Sequence, residues 1–135
     1  MIKKILLSLL ICCSFLISNA QDKMTNEEIM AKVSKGKPFC LVILRPGRER
    51  TKAEQENQQL QMDHLGNLFR MEKEGKISIF GPIQNEKTME GIIIFNSTDK
   101  EAIKKEMDND PYMKSGIMKY DIYDFFTIPG QKIPG

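Results

Sequence analysis

Two runs of apolar residues without a polar interruption constrain the fold of this chain more than any other feature. Residues 39–44 read Phe-Cys-Leu-Val-Ile-Leu, and residues 92–95 read Ile-Ile-Ile-Phe. A strand with one face in water alternates apolar and polar residues, whereas an unbroken apolar run is typical of a strand buried on both faces. We therefore expect both runs to be inner strands of a sheet.

Two other segments, residues 77–80 and 117–126, alternate apolar and polar residues and are predicted to be half-exposed strands. Between the strands, residues 54–74 and 100–108 are predicted to form helices. The order strand, helix, strand, strand, helix, strand is that of the ferredoxin-like βαββαβ unit, an α+β fold with a four-stranded antiparallel sheet. That unit places its first and third strands at the centre of the sheet, which matches the two apolar runs.

The helices of such a unit can cover only one face of the sheet. The other face would be a large apolar patch on the surface, which monomeric proteins rarely expose. A second copy, packed sheet against sheet with two-fold symmetry, would cover it. The sequence therefore predicts a homodimer that closes an α+β barrel.

The first 20 residues have the pattern of a secretory signal peptide. A basic head with Lys3 and Lys4 precedes the apolar residues 5–17, and small residues stand before an expected cleavage after Ala20. A membrane-spanning helix needs about 20 apolar residues, so this run is too short. Lipidation at a cysteine within the segment is the alternative, although Ile11 is a poor residue before such a site. We expect an exported protein, periplasmic or secreted, that is free of the membrane after cleavage.

Removal of this segment changes the charge and the cysteine count. The full chain has 20 basic and 18 acidic residues, and cleavage would leave 18 of each. A neutral protein of this kind gives no reason to expect nucleic-acid binding. Only Cys40 would remain of three cysteines, so no internal disulfide could form. Residues 21–37 are predicted to form an N-terminal arm with a short helix, residues 38–127 the domain, and residues 128–135 a flexible tail.

The only histidine of the chain, His64, lies on the apolar side of the first long predicted helix. Leu60, Leu65 and Leu68 share that side at spacings of three and four residues. The imidazole is therefore either a packed residue of the helix or a group at the edge of a pocket.

Three landmarks together resemble the YciI-like (YCII-related) family of small dimeric α+β barrel proteins. The first is His64-Leu65-Gly66-Asn67-Leu68 on the first helix, and the second is the segment from Gly75 to Pro82 around the second strand. The third is Asp110-Pro111-Tyr112 after the second helix, followed by Lys114-Ser115-Gly116-Ile117. The resemblance covers residues 39–126. Where family members often have an aromatic residue shortly after the histidine, this chain has Gly66-Asn67.

The resemblance implies an acid–base dyad of a histidine and an aspartate near a cleft, here His64 and Asp110. A carboxylate bonded to one ring nitrogen fixes the tautomer and stabilises the imidazolium, so the other nitrogen can act as a base. Asp110 has a second interpretation, because aspartate before proline is a favoured helix start. One carboxylate can serve both roles, since a cap uses one oxygen.

Two further residues are candidates for binding a substrate. Arg45, at the end of an inner strand, could bind a carboxylate through two hydrogen bonds, or it could be a solvated strand end. Tyr112 could line the pocket, or it could be a packing residue. One histidine and one cysteine in the mature chain do not favour a metal site, and we expect no cofactor.

Two functions remain open from the sequence. The chain could be an exported small-molecule enzyme that uses His64 and Asp110 for elimination, isomerisation or hydrolysis of a small, anionic metabolite. The alternative is a non-catalytic dimeric module that binds a small ligand in the same cleft.

Overall fold

The computed structural model describes residues 23–49 and 53–135. The expected signal peptide lies outside these residues. The chain divides into two units, one ending at Ser34 and the other comprising Lys35–Gly135. In the first unit, helix α1 spans Asn26–Val33 and begins with the capping box of Thr25 and Glu28 that its sequence predicts.

The second unit contains the predicted βαββαβ order, with one short helix before the last strand. Its boundaries lie within a few residues of those expected from the sequence. The elements are β1 (Lys37–Pro46), α2 (Glu54–Lys73), β2 (Ile77–Pro82), β3 (Gly91–Phe95), α3 (Lys100–Asp108), α4 (Pro111–Ser115) and β4 (Met118–Thr127).

The four strands form one antiparallel sheet in the order β2-β3-β1-β4. The two apolar runs are therefore the central strands, as predicted. Val42 of β1 is opposite Ile93 of β3 and Ile122 of β4, so the register aligns large apolar side chains across the sheet. Such cross-strand pairs stabilise a sheet and fix its register.

The hydrophobic core lies between one face of this sheet and the helices. From the central strands, Cys40, Val42, Ile93 and their neighbours on the same face are buried. Helices α2 and α3 contribute apolar side chains at helical spacing, which makes one face of each helix the inner face. These helical core residues are Leu68, Met71, Ile103 and Met107.

The other face of the sheet is only half-buried in the single chain. Leu41 and Ile43 of β1 are opposite Ile94 and Ile92 of β3, and all four are intermediate in exposure. The sequence predicts that both faces of the central strands are buried. In the single chain, only the face toward the helices is fully buried.

The helix ends follow local chemistry, with one difference from expectation. Gly75 ends α2 with a φ of 71°, a left-handed conformation that glycine adopts without strain. For helix α3, the spacing of Thr98 and Glu101 predicts a capping box. In the structure the N-cap is instead Asp99, which accepts a hydrogen bond from the Ala102 N–H. Within the described part of the chain, no helix has the length and apolar composition needed to span a membrane.

Candidate functional site

The structure brings His64 and Asp110 into direct contact although 46 positions separate them. The imidazole Nδ1 lies 2.8 Å from Oδ1 and 2.9 Å from Oδ2 of the carboxylate. His64 is 5% exposed and Asp110 is fully buried. They are the two buried polar residues of the described chain, and their contact joins α2 to the start of α4.

Asp110 is also the N-cap of α4, so both interpretations of this residue apply together. Its Oδ1 accepts a hydrogen bond from the Tyr112 backbone N–H at 3.0 Å, and Pro111 occupies the first turn of the helix. Proline fits there because it lacks an N–H that would have no helical partner. The sequence Asp-Pro thus positions the carboxylate at a defined point of the backbone, facing α2.

The hydrogen-bond partners of Asp110 fix its charge and the tautomer of His64. The Tyr112 backbone donates to Oδ1, and the Asn67 side chain donates to Oδ2 at 2.8 Å. Both oxygens thus act as acceptors, which matches an ionised carboxylate. A carboxylate accepts from Nδ1–H, so Nε2 is the ring nitrogen that carries a lone pair in neutral His64.

Tyr112 lies against the imidazole. The two rings stack with centroids 4.7 Å apart and an angle of 23° between their planes. Burial raises the pKa of the Tyr112 hydroxyl, and the negative charges of Asp110 and Glu90 raise it further. The hydroxyl therefore keeps its proton at neutral pH and can donate a hydrogen bond beside the imidazole.

His64 and Tyr112 line a cavity of about 420 Å³ between α2 and the end of the sheet formed by β2 and β3. Its polar lining also includes Gln61 and Glu90, and backbone at Gly81, Pro82 and Gly91 closes one side. The rest of the lining is apolar and consists of Leu44, Leu65, Leu68, Phe80, Ile92 and Met118. A cavity that combines apolar walls with a few polar groups is typical of a small-molecule site.

The structure does not bring Arg45 to this cavity. Adjacent residues of a strand point to opposite faces, so Arg45 and the cavity-lining Leu44 lie on different sides of the sheet. Arg45 forms an ion pair with Asp121 and also donates to the Thr88 carbonyl oxygen and the Tyr123 hydroxyl. The Asp121 hydrogen bond raises the pKa of this guanidinium.

Sequence reasoning did not identify three contributors to the site. Asn67 was noted only as a departure from the family pattern, yet it bonds the buried carboxylate. Glu90 lies in a loop that carries no motif, and Gly81-Pro82 is a dipeptide typical of a turn, with nothing local to predict that it lines a cavity. Only Asn67 had a usable signal, because it lies three residues after His64 and therefore on the same side of the helix.

No group of three or more potential metal ligands occurs within residues 23–49 and 53–135. A search of curated proteins found no match to the chain.

Among solved structures, one similar chain is the 5-chloro-2-hydroxyhydroquinone dehydrochlorinase of Burkholderia phenoliruptrix, in complex with 2,5-dihydroxybenzoquinone. It is 18% identical, with a TM-score of 0.48, and the match covers 62% of this chain and 90% of that one. A family model for the YCII-related domain matches residues 40–126, which include nearly all of the βαββαβ core. That match extends over more than half of the sequence and contains His64, Asp110 and the residues that line the cavity, so this chain belongs to the YCII-related domain family.

Proposed function

We propose that this protein is a small-molecule enzyme that moves a proton with the His64–Asp110 pair. The observation that carries the proposal is the buried contact between Nδ1 of His64 and the carboxylate of Asp110 beside an open cavity. A structural histidine needs no ionised partner, and burying a carboxylate is costly unless it is paired. The arrangement therefore favours chemistry over packing.

In the proposed reaction, Nε2 of His64 removes a proton from a ligand held in the cavity. Asp110 stabilises the imidazolium that forms and keeps the ring in the tautomer that exposes a lone pair on Nε2. Tyr112 donates a hydrogen bond to the oxygen on which negative charge develops. This sequence of steps serves elimination or isomerisation, and it serves hydrolysis if water is the group deprotonated.

The lining of the cavity favours an uncharged ligand over the anionic metabolite expected from the sequence. Apolar residues form most of its walls, which suits a ligand with apolar surface. Arg45, which was expected to bind such an anion, is engaged on the other face of the sheet. We therefore propose a neutral compound with an acidic C–H bond beside a carbonyl or hydroxyl group.

The experiment that tests the proposal is solvent deuterium exchange. A mixture of small ketones, enols and phenols is incubated in D₂O with the protein, and the masses are compared with those after incubation with His64→Gln. We expect at least one compound to gain deuterium or change structure with the native chain and not with the variant. A compound that binds without exchange in either sample would contradict catalysis and favour the ligand-binding module.

We also propose that a second copy of the chain covers the half-buried face of the sheet. Leu41, Ile43, Ile92 and Ile94 form the centre of this face, and a self-complementary apolar surface is what a two-fold interface requires. Sedimentation at micromolar concentration should give a dimer, and Ile43→Lys should give a folded monomer. A monomeric native protein would refute this assembly.

Export is the remaining part of the proposal, and the pattern of residues 1–20 supports it. Mass spectrometry of the protein recovered from its native host should give a chain that begins at Gln21. A chain that retains Met1 or Ile2 in the cytoplasm would contradict it.

A further inference from the structure

The buried pair is connected to the protein surface through one side chain. Asn67 donates from Nδ2 to Oδ2 of Asp110 at 2.8 Å, and its Oδ1 accepts from Nη2 of Arg70 at 2.7 Å. Arg70 in turn donates to Glu74 and to Glu106, both at 2.8 Å. A continuous series of hydrogen bonds therefore extends from the imidazole to an exposed cluster of charges.

This connection determines which end of the Asn67 amide faces the site. A guanidinium can only donate hydrogen bonds, so the atom of Asn67 that faces Arg70 must be the carbonyl oxygen. The NH₂ group must then face Asp110, where it can only donate. The two glutamates hold Arg70 in place, and their hydrogen bonds raise the pKa of its guanidinium.

We propose that Asn67, oriented by Arg70, is a positioning residue that keeps Asp110 ionised and its carboxylate aligned with Nδ1 of His64. Asn67 itself does not need to touch a ligand. The inference rests on the proposed function for its purpose, since it explains how the base is kept ready. Its test, however, needs no substrate.

The direction of the expected effect follows from which state of the pair each group stabilises. The Asn67 N–H stabilises Asp110 only as a carboxylate, and Arg70 acts through Asn67 by holding its amide in this orientation. Removal of either group therefore favours the protonated form of the pair and shifts its proton uptake to higher pH. Among residues 23–49 and 53–135, the other titratable groups that line the cavity beside the imidazole are Tyr112 and Glu90.

The chain has one histidine, so its ring signals can be followed by NMR without ambiguity. In Asn67→Ala, the midpoint of the His64 titration should rise by about half a pH unit or more, because a hydrogen bond to a charged group is lost. The matched control is Asn109→Ala, which removes the same amide from the residue next to Asp110. The Asn109 side chain donates to the Lys105 carbonyl oxygen, away from the pair, and the variant should titrate like the native chain.

A double-mutant cycle separates positioning from a general effect on folding. Arg70→Met, at an exposed site, should raise the midpoint of the His64 titration in the native background. In the Asn67→Ala background, the same change should raise this midpoint by less than half as much. Glu74→Gln, which leaves the Arg70–Glu106 bond, should have little effect.

Two results would overturn the inference. One is a midpoint in Asn67→Ala that agrees with that of Asn109→Ala. The other is an effect of Arg70→Met that is absent in the native background, or that is equal with and without Asn67. The native-background measurement needs no change at Asn67, so it also serves if Asn67→Ala proves unstable. Neither result depends on deuterium exchange, so failure of this inference and failure of the proposed reaction are distinguishable.

Discussion

Asp110→Asn should destabilise the protein because it breaks hydrogen bonds of the buried carboxylate, while it leaves the helix cap intact. Asparagine caps a helix about as well as aspartate, so the start of α4 is preserved. The orientation that keeps an oxygen on the Tyr112 N–H, and therefore keeps the cap, places the new NH₂ against the Asn67 NH₂. One hydrogen bond to a charged group is worth about 1.5–3 kcal/mol, and relief of the buried charge offsets part of the loss of two. We expect a net loss of about 2–3 kcal/mol.

The measurement is urea denaturation at pH 7, combined with NMR assignment of the proton on the His64 ring. Asp99→Asn is the matched control, because Asp99 caps α3 through the Ala102 N–H at an exposed position and has no buried partner. It should change the free energy of unfolding by less than about 0.5 kcal/mol. If Asp110→Asn is as stable as this control and His64 keeps its proton on Nδ1, the reasoning about the ionised pair is wrong.

Further predictions concern glycine and acid stability. Gly66→Ala should raise the free energy of unfolding by about 0.5–1 kcal/mol, because the site lies within α2 and a methyl group there meets nothing within 4 Å. Gly75→Ala should lower the free energy of unfolding by about 1 kcal/mol, because the φ of 71° at Gly75 is left-handed. The same change in unfolding free energy for Gly66→Ala and Gly75→Ala in urea denaturation would contradict this pair of predictions. Gly47→Ala should lower it by about 2 kcal/mol or more, because an added Cβ would lie 1.9 Å from a backbone oxygen, and a native-like urea midpoint would be inconsistent with that contact. Hydrogen bonds from Lys76 and Arg70 lower the pKa of Glu106 below its ordinary value of 4.5. Ionised Glu106 therefore contributes to stability above pH 4.5, and this contribution is lost as the pH falls through the lowered pKa. In thermal melts, Glu106→Gln should lose less stability on acidification than the native chain does.

The fold was predictable because the inner strands are marked by their residues alone. The runs containing Val42 and Ile93 have no polar position to turn toward water, and only the centre of a sheet suits such strands. Helix ends were predictable where one residue type has a clear local role, as Gly75 has. The start of α3 was not, because Thr98 and Asp99 are both good caps and the sequence does not decide between them.

The site was predictable only where a family pattern supplied the pairing. Nothing local connects His64 to Asp110, and their contact depends on how α2 and α4 pack against the sheet. Arg45 illustrates the opposite case, since its chemistry suited an anion but its position in the strand directs it away from the cavity. Glu90 carries no motif, and its place in the cavity lining follows from tertiary structure alone.

Asp110 connects the start of helix α4 to the position of the His64 ring. The carboxylate that begins the turn at Pro111 is also the one that holds the imidazole, so any fluctuation that frays this turn also releases the ring. Amide exchange at Lys114, whose N–H bonds the Asp110 carbonyl oxygen, would therefore report how often the contact between His64 and Asp110 opens in the resting molecule.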